Sequence, residues 1–500
     1  MTASVQEISE ETLGAMQAIT KAQTNGITTS TGITSYDLTG LVSLVPVVTP
    51  MRDLVAREKS TDGNKFAVWR AIMNANNSQP DPAIPFDYAA NEIVMIEQDF
   101  QAAYKGIGYA GFVTQDAYDL AIGYADPYAV ETFNVLNQVL IADDRKMVGG
   151  QSFALARPGA PALTQHASGG TIGAVQVYVG VAARTGSGWY YGTGNSQGNV
   201  NNTTFGGGAA NSVSATVASV RGAVAYDWFQ SADGNTWWYY TTTTANAVTM
   251  TKVITSNQAL PTGTSYPDLA TAWKGANVAP TYNGAADNGS ANAADYDGLL
   301  ASLAGDYNTT GQWVTSGTGT GNPSVNTSLD GAALTLTGGT VTEIEASLFL
   351  PLWQSVKCSP TAIMMNAVQA QEIANLVLGS SSATTFLNTD ASGRISTVAG
   401  GRVGEIVNAP AGGKTVPIEV HVSVPPGTIV ARTDRVPFPQ ANISSVLAFR
   451  TLRDMSQFDY GVSRIANTAG GGPRREFEVK SLGAFVNRAP VAMATLQNVG

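Results

Sequence analysis

Two strand-like runs with no third strand beside them set the strongest limit on what this chain can fold into. FAVWRAI at 66–72 and EIVMIEQDFQAAYKGIGYAGFV at 92–113 have strand composition. Between them lies NANNSQPDPAIPFDYAA, where Pro80, Pro82 and Pro85 punctuate a polar loop. The pattern predicts a protruding hairpin. A two-stranded hairpin is marginal alone, so it needs a partner surface, in this chain or in another copy. Charged residues make up only 13% of the 500, against roughly 25% in an average soluble protein, and 53 residues are glycine. Both figures suggest much surface buried against other protein.

Composition removes several classes. At 44% hydrophobic the chain is not disordered, and with a net charge of -10 it has no basic excess to neutralise phosphates. One cysteine, Cys358, leaves no intrachain disulfide and no multi-cysteine metal site. The opening MTASVQEISEETLGAMQAIT carries acids where a signal peptide carries bases, and LVSLVPVV at 41–48 is far short of the ~20 residues a bilayer needs. The expectation is a soluble protein that stays in the cell that makes it. Triplets such as Asn202-Thr203-Thr204 are then chance in an Asn/Thr-rich chain.

Residues 1–28 begin with helical character and pass into a Thr/Gly-rich extended arm that runs to about Gly40. DPYAVETFNVLNQVLIADDRKMVGG at 126–150 predicts a long helix. Asp126 is its N-cap, Pro127 takes the first position, and Val130, Phe133, Leu136 and Leu140 form the apolar stripe. Asp143 and Asp144, beside Arg145 and Lys146, read as a solvated face.

Residues 160–256 change character to Thr, Gly, Asn, Tyr and Trp with hardly any charge. AVQVYVGVAA at 174–183 reads as a strand with Val175, Val177 and Val179 on one face. GAVAYDWFQSADGNTWWYYTTTT at 222–244 reads as strand, turn at Asp233-Gly234-Asn235, strand. Together they imply a β-sandwich with Trp228 in its core. A Pro/Gly/Asn/Ala linker at 261–294 follows, and then helix and strand alternate. DYDGLLASL (295–303) is a short helix. GTVTEIEASLFLPLWQSVK (339–357) is a helix with Ile344, Leu348, Leu352 and Val356 at four-residue spacing, broken only by Pro351.

Little of this pattern carries chemistry. Gly106, Gly108 and Gly111 match GxGxxG, but Asp116 and Asp119 would repel a pyrophosphate, so close backbone approach along a strand is the favoured reading. His166 and His421 fall in different predicted domains, which disfavours a triad or a His-based metal site. His421 reads as a packed strand residue and Cys358 as a small buried side chain.

The pairs Asp295/Asp297 and Glu343/Glu345 could act as acid and base only across a cleft of ~5–10 Å. Trp189, Tyr190, Tyr191, Trp237, Trp238, Tyr239 and Tyr240 could stack on sugars, or form core. Residues 1–156 hold 18 acids and 9 bases, whereas 432–500 hold 9 bases and 5 acids. The two stretches either pair within one fold or meet head to tail between copies.

The order of elements resembles the major capsid protein of tailed bacteriophages, whose shell fold is called Hong Kong-97-type. TPMRDLVARE with the hairpin, the helix 127–148, SPTAIMMNAVQAQEIANLVLG, VGEIVNAPAGGKTVPIEVHVSV, PPGTIVARTDRVPF and the closing FEVKSLGAFVNRAPVAMATLQNVG carry the resemblance. It implies an α+β capsid fold: an N-terminal arm (1–50), an E-loop hairpin (51–113), a P-domain spine helix (114–157), an A-domain (295–449) and closing P-domain strands (450–500). GGTIGAVQVYVGVAARTGSG and GAVAYDWFQSADG are similar to immunoglobulin- or fibronectin-III-like domains, which makes 158–260 an inserted all-β sandwich and 261–294 its linker.

The resemblance further implies no enzyme activity and no cofactor. It implies hexameric and pentameric capsomers of a virion capsid assembled in the host cytoplasm, enclosing DNA without sequence-specific binding or a membrane. A separate scaffolding protein and a portal are the expected partners, with a decoration protein as a further one. The expected assembly-interface residues are Trp69, Arg70, Glu92, Glu97, Arg450, Arg453, Arg474 and Arg475. The rival reading is a glycan-binding, adhesin-like β-protein, and an enzyme with a clustered carboxylate pair is a second rival. Family cross-linking of an E-loop lysine to a neighbour's Asn would involve Lys59 or Lys65, with no Asn and Glu matched to them here.

Overall fold

A computed structural model describes residues 46–60, 65–74, 83–89, 96–121, 126–153, 155–191, 198–208, 210–234, 237–255, 295–304, 306–307, 313–314, 324–337, 340–379, 388–389, 395–396, 403–436, 443, 445–464 and 473–500. The arm before residue 46 and the linker 261–294 lie outside these. The chain divides into two compact units: Met1–Asp53 with Lys105–Asp144 and Thr451–Gly483, and the remainder.

In the first unit the strands Leu447–Arg464, Pro473–Asn487 and Lys105–Thr114 lie side by side in that order. The last two are antiparallel, from Arg474 opposite Thr114 to Gly483 opposite Lys105. The helix Pro127–Gly149 starts as its sequence predicts, with Asp126 Oδ1 accepting the Tyr128 and Ala129 N–H groups. Val135 and Val139 share a core with Phe477 and Val479, bordered by Ile107, Tyr128, Leu136 and Met455. A Cβ on Gly111 would lie 2.6 Å from Phe477 Cζ and 2.8 Å from Val135 Cγ2, and one on Gly108 would lie 2.6 Å from Lys480 Cβ. Those glycines serve close packing, not phosphate binding.

The expected helix stripe is rotated. Phe133 is 58% exposed, while Glu131, Val135, Val139 and Ala142 are the buried positions. A buried acid inside the stripe masks the apolar period. Asp143 and Asp144 correct a second expectation, since both are buried. Asp144 Oδ1 accepts Met51 N at 2.8 Å and Arg52 N at 3.0 Å, capping the short helix Pro50–Leu54. Arg52 Nε pairs with Asp143 Oδ2 at 3.3 Å. The helix uses these acids to hold the chain that follows the N-terminal segment.

The second unit holds a six-stranded mixed sheet in the order Val325–Ser328, Ala494–Gln497, Ile429–Arg432, Ala362–Met365, Lys414–Val420, Glu405–Asn408. The first pair and the Ala362–Met365/Lys414–Val420 pair are parallel; the rest are antiparallel. Ile344, Leu348 and Leu352 are fully buried against Ile363, Met365, Ile429 and Leu496, as the four-residue spacing predicts.

Pro351 does not break that helix. Thr342–Ile344 continues through a π turn, Glu345–Phe349, into Leu350–Val356, with Leu350 N donating to Glu345 O. The wider turn relieves the clash a proline ring makes with the carbonyl four residues back. The helix ends at Lys357 in a left-handed conformation, φ +56°. His421 lies just past its strand, which ends at Val420, and its N donates to Met365 O.

Residues 162–250 form two antiparallel sheets around one core. The larger runs Trp238–Thr243, Ala225–Ser231, Gln176–Arg184, Asn199–Thr204, and the smaller Ala247–Met250, Ser212–Thr216, Ala162–His166. Val177, Val179, Val181, Val213, Ala215, Tyr226 and Trp228 fill the space between. Val175 falls before its strand and is exposed, so Val181 completes the inward row instead. Of the expected turn 233–235, Asn235 lies outside the described residues.

The larger sheet is also covered on its other face. Ala182, Arg184, Asp227 and Phe229 alternate with the inward residues and are all fully buried. Near them the helix Gly186–Tyr191, which the sequence did not announce, sets Trp189 under the Arg184 guanidinium at 5.7 Å.

Candidate assembly surfaces

The predicted hairpin is a two-stranded ribbon, Phe66–Asn74 antiparallel to Ile96–Ala103, with Trp69 opposite Phe100 and Arg70 opposite Asp99. Among its described residues one face is packed. Phe100 packs with Phe153 and Ala301, Ala67 packs with Ala484 and Val486, and the half-buried Trp69 stacks on Phe100 at 5.8 Å. Exposed charge covers the opposite side: Arg70 Nε pairs with Asp99 at 2.6 Å and Nη1 with Glu97 at 3.3 Å. The hydrogen bond from Arg70 holds the Asp99 carboxyl below the usual carboxylate range. Glu92 lies outside the described residues.

In the segment between the ribbon strands, Tyr88 N donates to Pro85 O and Asp87 takes φ +69°, a tight turn with Phe86 and Asp87 at its centre. Phe86 is 99% exposed, Tyr88 74% and Ile84 51%. Three large apolar side chains in one short segment are thus left in water. The clue was present in AIPFDY, whose apolar residues interrupt a polar loop read only for its prolines.

The remaining expected interface arginines have partners inside the fold. Arg450 Nε meets Glu58 at 3.4 Å, where Arg488 Nη2 also donates at 2.5 Å. Burial pushes Glu58 up, but the hydrogen bond and charge of Arg488, then of Arg450, outweigh it and hold Glu58 below its ordinary value. In the first unit Arg453 lies over Phe458 at 5.3 Å, Arg474 pairs with Glu476 and covers Phe112, and Arg475 lies over Tyr118 at 4.0 Å. Arg432 is buried between Glu419 (2.7 Å) and Asp434 (2.8 Å). Pairing within the fold therefore accounts for much of the basic C-terminal stretch. Arg435 is exposed.

The groups considered for chemistry are held in structural hydrogen bonds. Asp295 accepts from Lys146 Nζ (2.5 Å), Ser187 Oγ (3.1 Å) and Gln151 N (3.3 Å), and Asp297 from Ser152 N (2.7 Å) and Oγ (2.9 Å). Glu343 accepts from Thr335 N and Oγ1 at 2.7 and 2.5 Å. His166 Nε2 meets Ser214 Oγ at 3.0 Å, and buried His421 accepts Ser423 N through Nδ1. Burial pushes the Cys358 thiol up, away from the reactive thiolate.

Tyr190, Trp237 and Tyr239 are buried and Trp189, Tyr191, Trp238 and Tyr240 half-buried, so these aromatics form no open stacking platform. Among the described residues no group of three or more His, Cys, Asp or Glu could hold a metal ion, and no helix is long and apolar enough to cross a membrane.

No protein-family model matches the chain, and no curated protein matches it. Among solved structures, the cyanophage A-1(L) capsid asymmetric unit is similar at 10% identity and a TM-score of 0.42, over 92% of this chain and 95% of that one. The capsid of a native GTA particle computed with C5 symmetry is similar at 8% identity and 0.39, over 92% and 93%. A chain described as Mycobacterium phage Bobi is similar at 9% identity and 0.37, over 93% and 95%. All three TM-scores lie below 0.5.

Proposed function

We propose that the chain is a structural subunit that assembles with copies of itself, as the major capsid protein of a tailed phage or related particle. The ribbon carries this reading. Among its described residues one face packs on its own unit, the other exposes charge, and the turn between its strands leaves Phe86 and Tyr88 in water; a two-stranded ribbon of this kind is marginal in a lone molecule. In this reading it is the E-loop, the helix Pro127–Gly149 is the spine of the P-domain, and the six-stranded sheet is the A-domain. The β region is an inserted immunoglobulin-like domain that displays its three-stranded sheet, where Thr164, Thr216 and Thr249 are exposed, on the outer surface.

Capsomers of six and five copies enclose double-stranded DNA inside the virion. An acidic chain that does not grip DNA suits packaging and release. A separate scaffolding protein, a portal and a decoration protein are the proposed partners. Catalysis has no part in this reading, and Asp295, Asp297 and Glu343 are taken up by structural hydrogen bonds.

Negative-stain electron microscopy with light scattering tests it, on the chain alone and with its candidate scaffold. Rings of five and six or closed shells are the expected result. A folded species that stays at 51.9 kDa under both conditions overturns the proposal.

A further inference from the structure

The β region 162–250 meets the rest of its unit at several points where backbone itself is closely fitted. Gly222 has φ +85°, and a Cβ there would lie 2.6 Å from Ala304 Cβ and 3.2 Å from Leu155 Cδ2. Gly331, at φ +84°, receives Ala245 Cβ at 2.9 Å. Gly427, at φ +75°, receives Thr244 Cβ at 2.7 Å. Glycines from three separate segments thus take the left-handed conformation where the two parts touch, and none has room for a side-chain atom.

Directional bonds cross the same seam. Arg221 Nη2 donates to Leu303 O and Ser324 O, both at 3.4 Å. Gly222 N donates to Gln497 Oε1 at 3.3 Å, Asn246 Nδ2 to Asp330 Oδ1 at 3.1 Å, and Tyr190 OH to Val422 O at 3.0 Å.

We propose that this seam is a rigid latch, by which the β region and the six-stranded sheet fold and open as one cooperative body. The flexible-looking flanks and uncharged composition of 160–256 suggest instead a module hung from the surface. A hung module needs solvated faces and side chains that slide at its base. Here backbone is fitted against Cβ atoms on both sides, and such packing has discrete positions and no smooth path between them. The latch also holds the strand Ala494–Gln497, since Gln497 takes a bond from Gly222 and Thr244 fills the space at Gly427. The β region then acts as a clamp on the closing strand of the sheet.

Hydrogen exchange on the full chain, read by mass spectrometry, tests the latch. In the unaltered protein, peptides covering 213–217 and 494–499 are expected to open together, in one cooperative event. Gly427→Ala is expected to speed exchange in both by about tenfold more than Gly412→Ala does. Gly412 is the control because it has φ +82° with nothing within 4 Å of a Cβ, so it carries the backbone strain without the contact. Should Gly427→Ala fail to fold, Asn246→Ala removes one crossing bond without strain and is expected to loosen both peptides in step. Independent opening of 213–217 in the unaltered chain overturns the proposal. So does a Gly427→Ala chain no looser than Gly412→Ala, or an Asn246→Ala chain that loosens one peptide alone.

Discussion

The ribbon 66–103 and the β region 162–250 are both antiparallel and both poor in helix, yet they meet the problem of burial in opposite ways. The β region has seven strands, one core between its sheets and a second covered face, and it hides even an ion pair, Arg184–Asp227, where neither side chain is exposed. The ribbon has two strands, borrows a core on one face and sets its charges on the outside. Strand number decides the difference: a pair of strands has no second sheet of its own, so the ribbon packs one face on its unit and leaves the other, with Arg70, Glu97 and Asp99, in water. Substitutions in the β region should therefore register as lost stability, and substitutions along the ribbon as lost association.

The largest effects belong to the β-region core. Trp228→Ala removes a fully buried ring and the bond from its indole N–H to Thr243 Oγ1 at 2.8 Å. It is expected to cost about 3–5 kcal/mol in urea denaturation, the range for large aromatic truncations. Asp227→Ala leaves the Arg184 guanidinium buried without its carboxylate, and about 3–5 kcal/mol is again expected. A loss below about 1 kcal/mol in both would mean that the region does not contribute its core to the stability of the fold, and the comparison would break at its stronger end. Removal of 160–256 altogether follows the same logic. It uncovers Ala304 and Gln497 and takes the Tyr190 hydroxyl from the Val422 carbonyl, so an aggregated or unfolded chain is expected in size exclusion and circular dichroism.

How legible these two regions were in the sequence follows from what each residue does. Strict periods were read correctly where one side chain type faces one environment: Ile344, Leu348 and Leu352 are all buried, and Trp228 is central. The helix at 127–149 was legible in its cap and its length but not in its facing, because Glu131 and the buried Asp143 and Asp144 break the apolar stripe. Acids usually mark a solvated face, and only the distant Met51 and Arg52 amides, which bond Asp144, and the Arg52 guanidinium, which pairs with Asp143, reveal why these two are inside. Proline at 351 suggested a break because a π turn has no sequence signature of its own. The interface role of Trp69, Arg70 and Glu97 stays an expectation drawn from the resemblance. The exposure of Phe86 depends on a turn built by Asp87 at φ +69°, which the prolines of the loop do not announce.

Acid should separate two parts of the molecule in sign. Glu58, beside the ribbon root, has its folded pKa below the unfolded value, so its contribution is present above the ordinary carboxylate range and is lost as pH falls through the lowered value. Glu131 behaves in the opposite way. Burial raises it, so its folded state is favoured below the unfolded pKa, and that advantage is lost as pH rises through the raised value. Glu131→Gln is therefore expected to raise the urea midpoint at pH 7 and to leave it unchanged near pH 3. Glu58→Gln is expected to lower it modestly at pH 7, since the ion pairs are partly in water. Equal midpoints for Glu131→Gln and the unaltered chain at pH 7 would show that the buried acid finds compensation in its neighbours.

The smallest effect on stability is expected at Phe86, in the segment between the ribbon strands, where it also discriminates best. Phe86 is almost wholly in water, so Phe86→Ser takes nothing from any core and should leave the denaturation midpoint within about 0.5 kcal/mol of the original. The same ring is the most exposed apolar group among the described residues, and its transfer into a neighbour's surface would supply on the order of 2 kcal/mol per contact. In a particle built from many copies that contact repeats, so a modest loss at each one shifts the whole assembly equilibrium. Light scattering of Phe86→Ser is expected to show mostly single chains under conditions where the unaltered protein assembles, with thermal unfolding of the chain itself unmoved. Normal particles from Phe86→Ser would place the assembly contact elsewhere on the ribbon. A large fall in chain stability would mean that Phe86 is already folded against its own molecule, and that the contrast between ribbon and β region is one of degree.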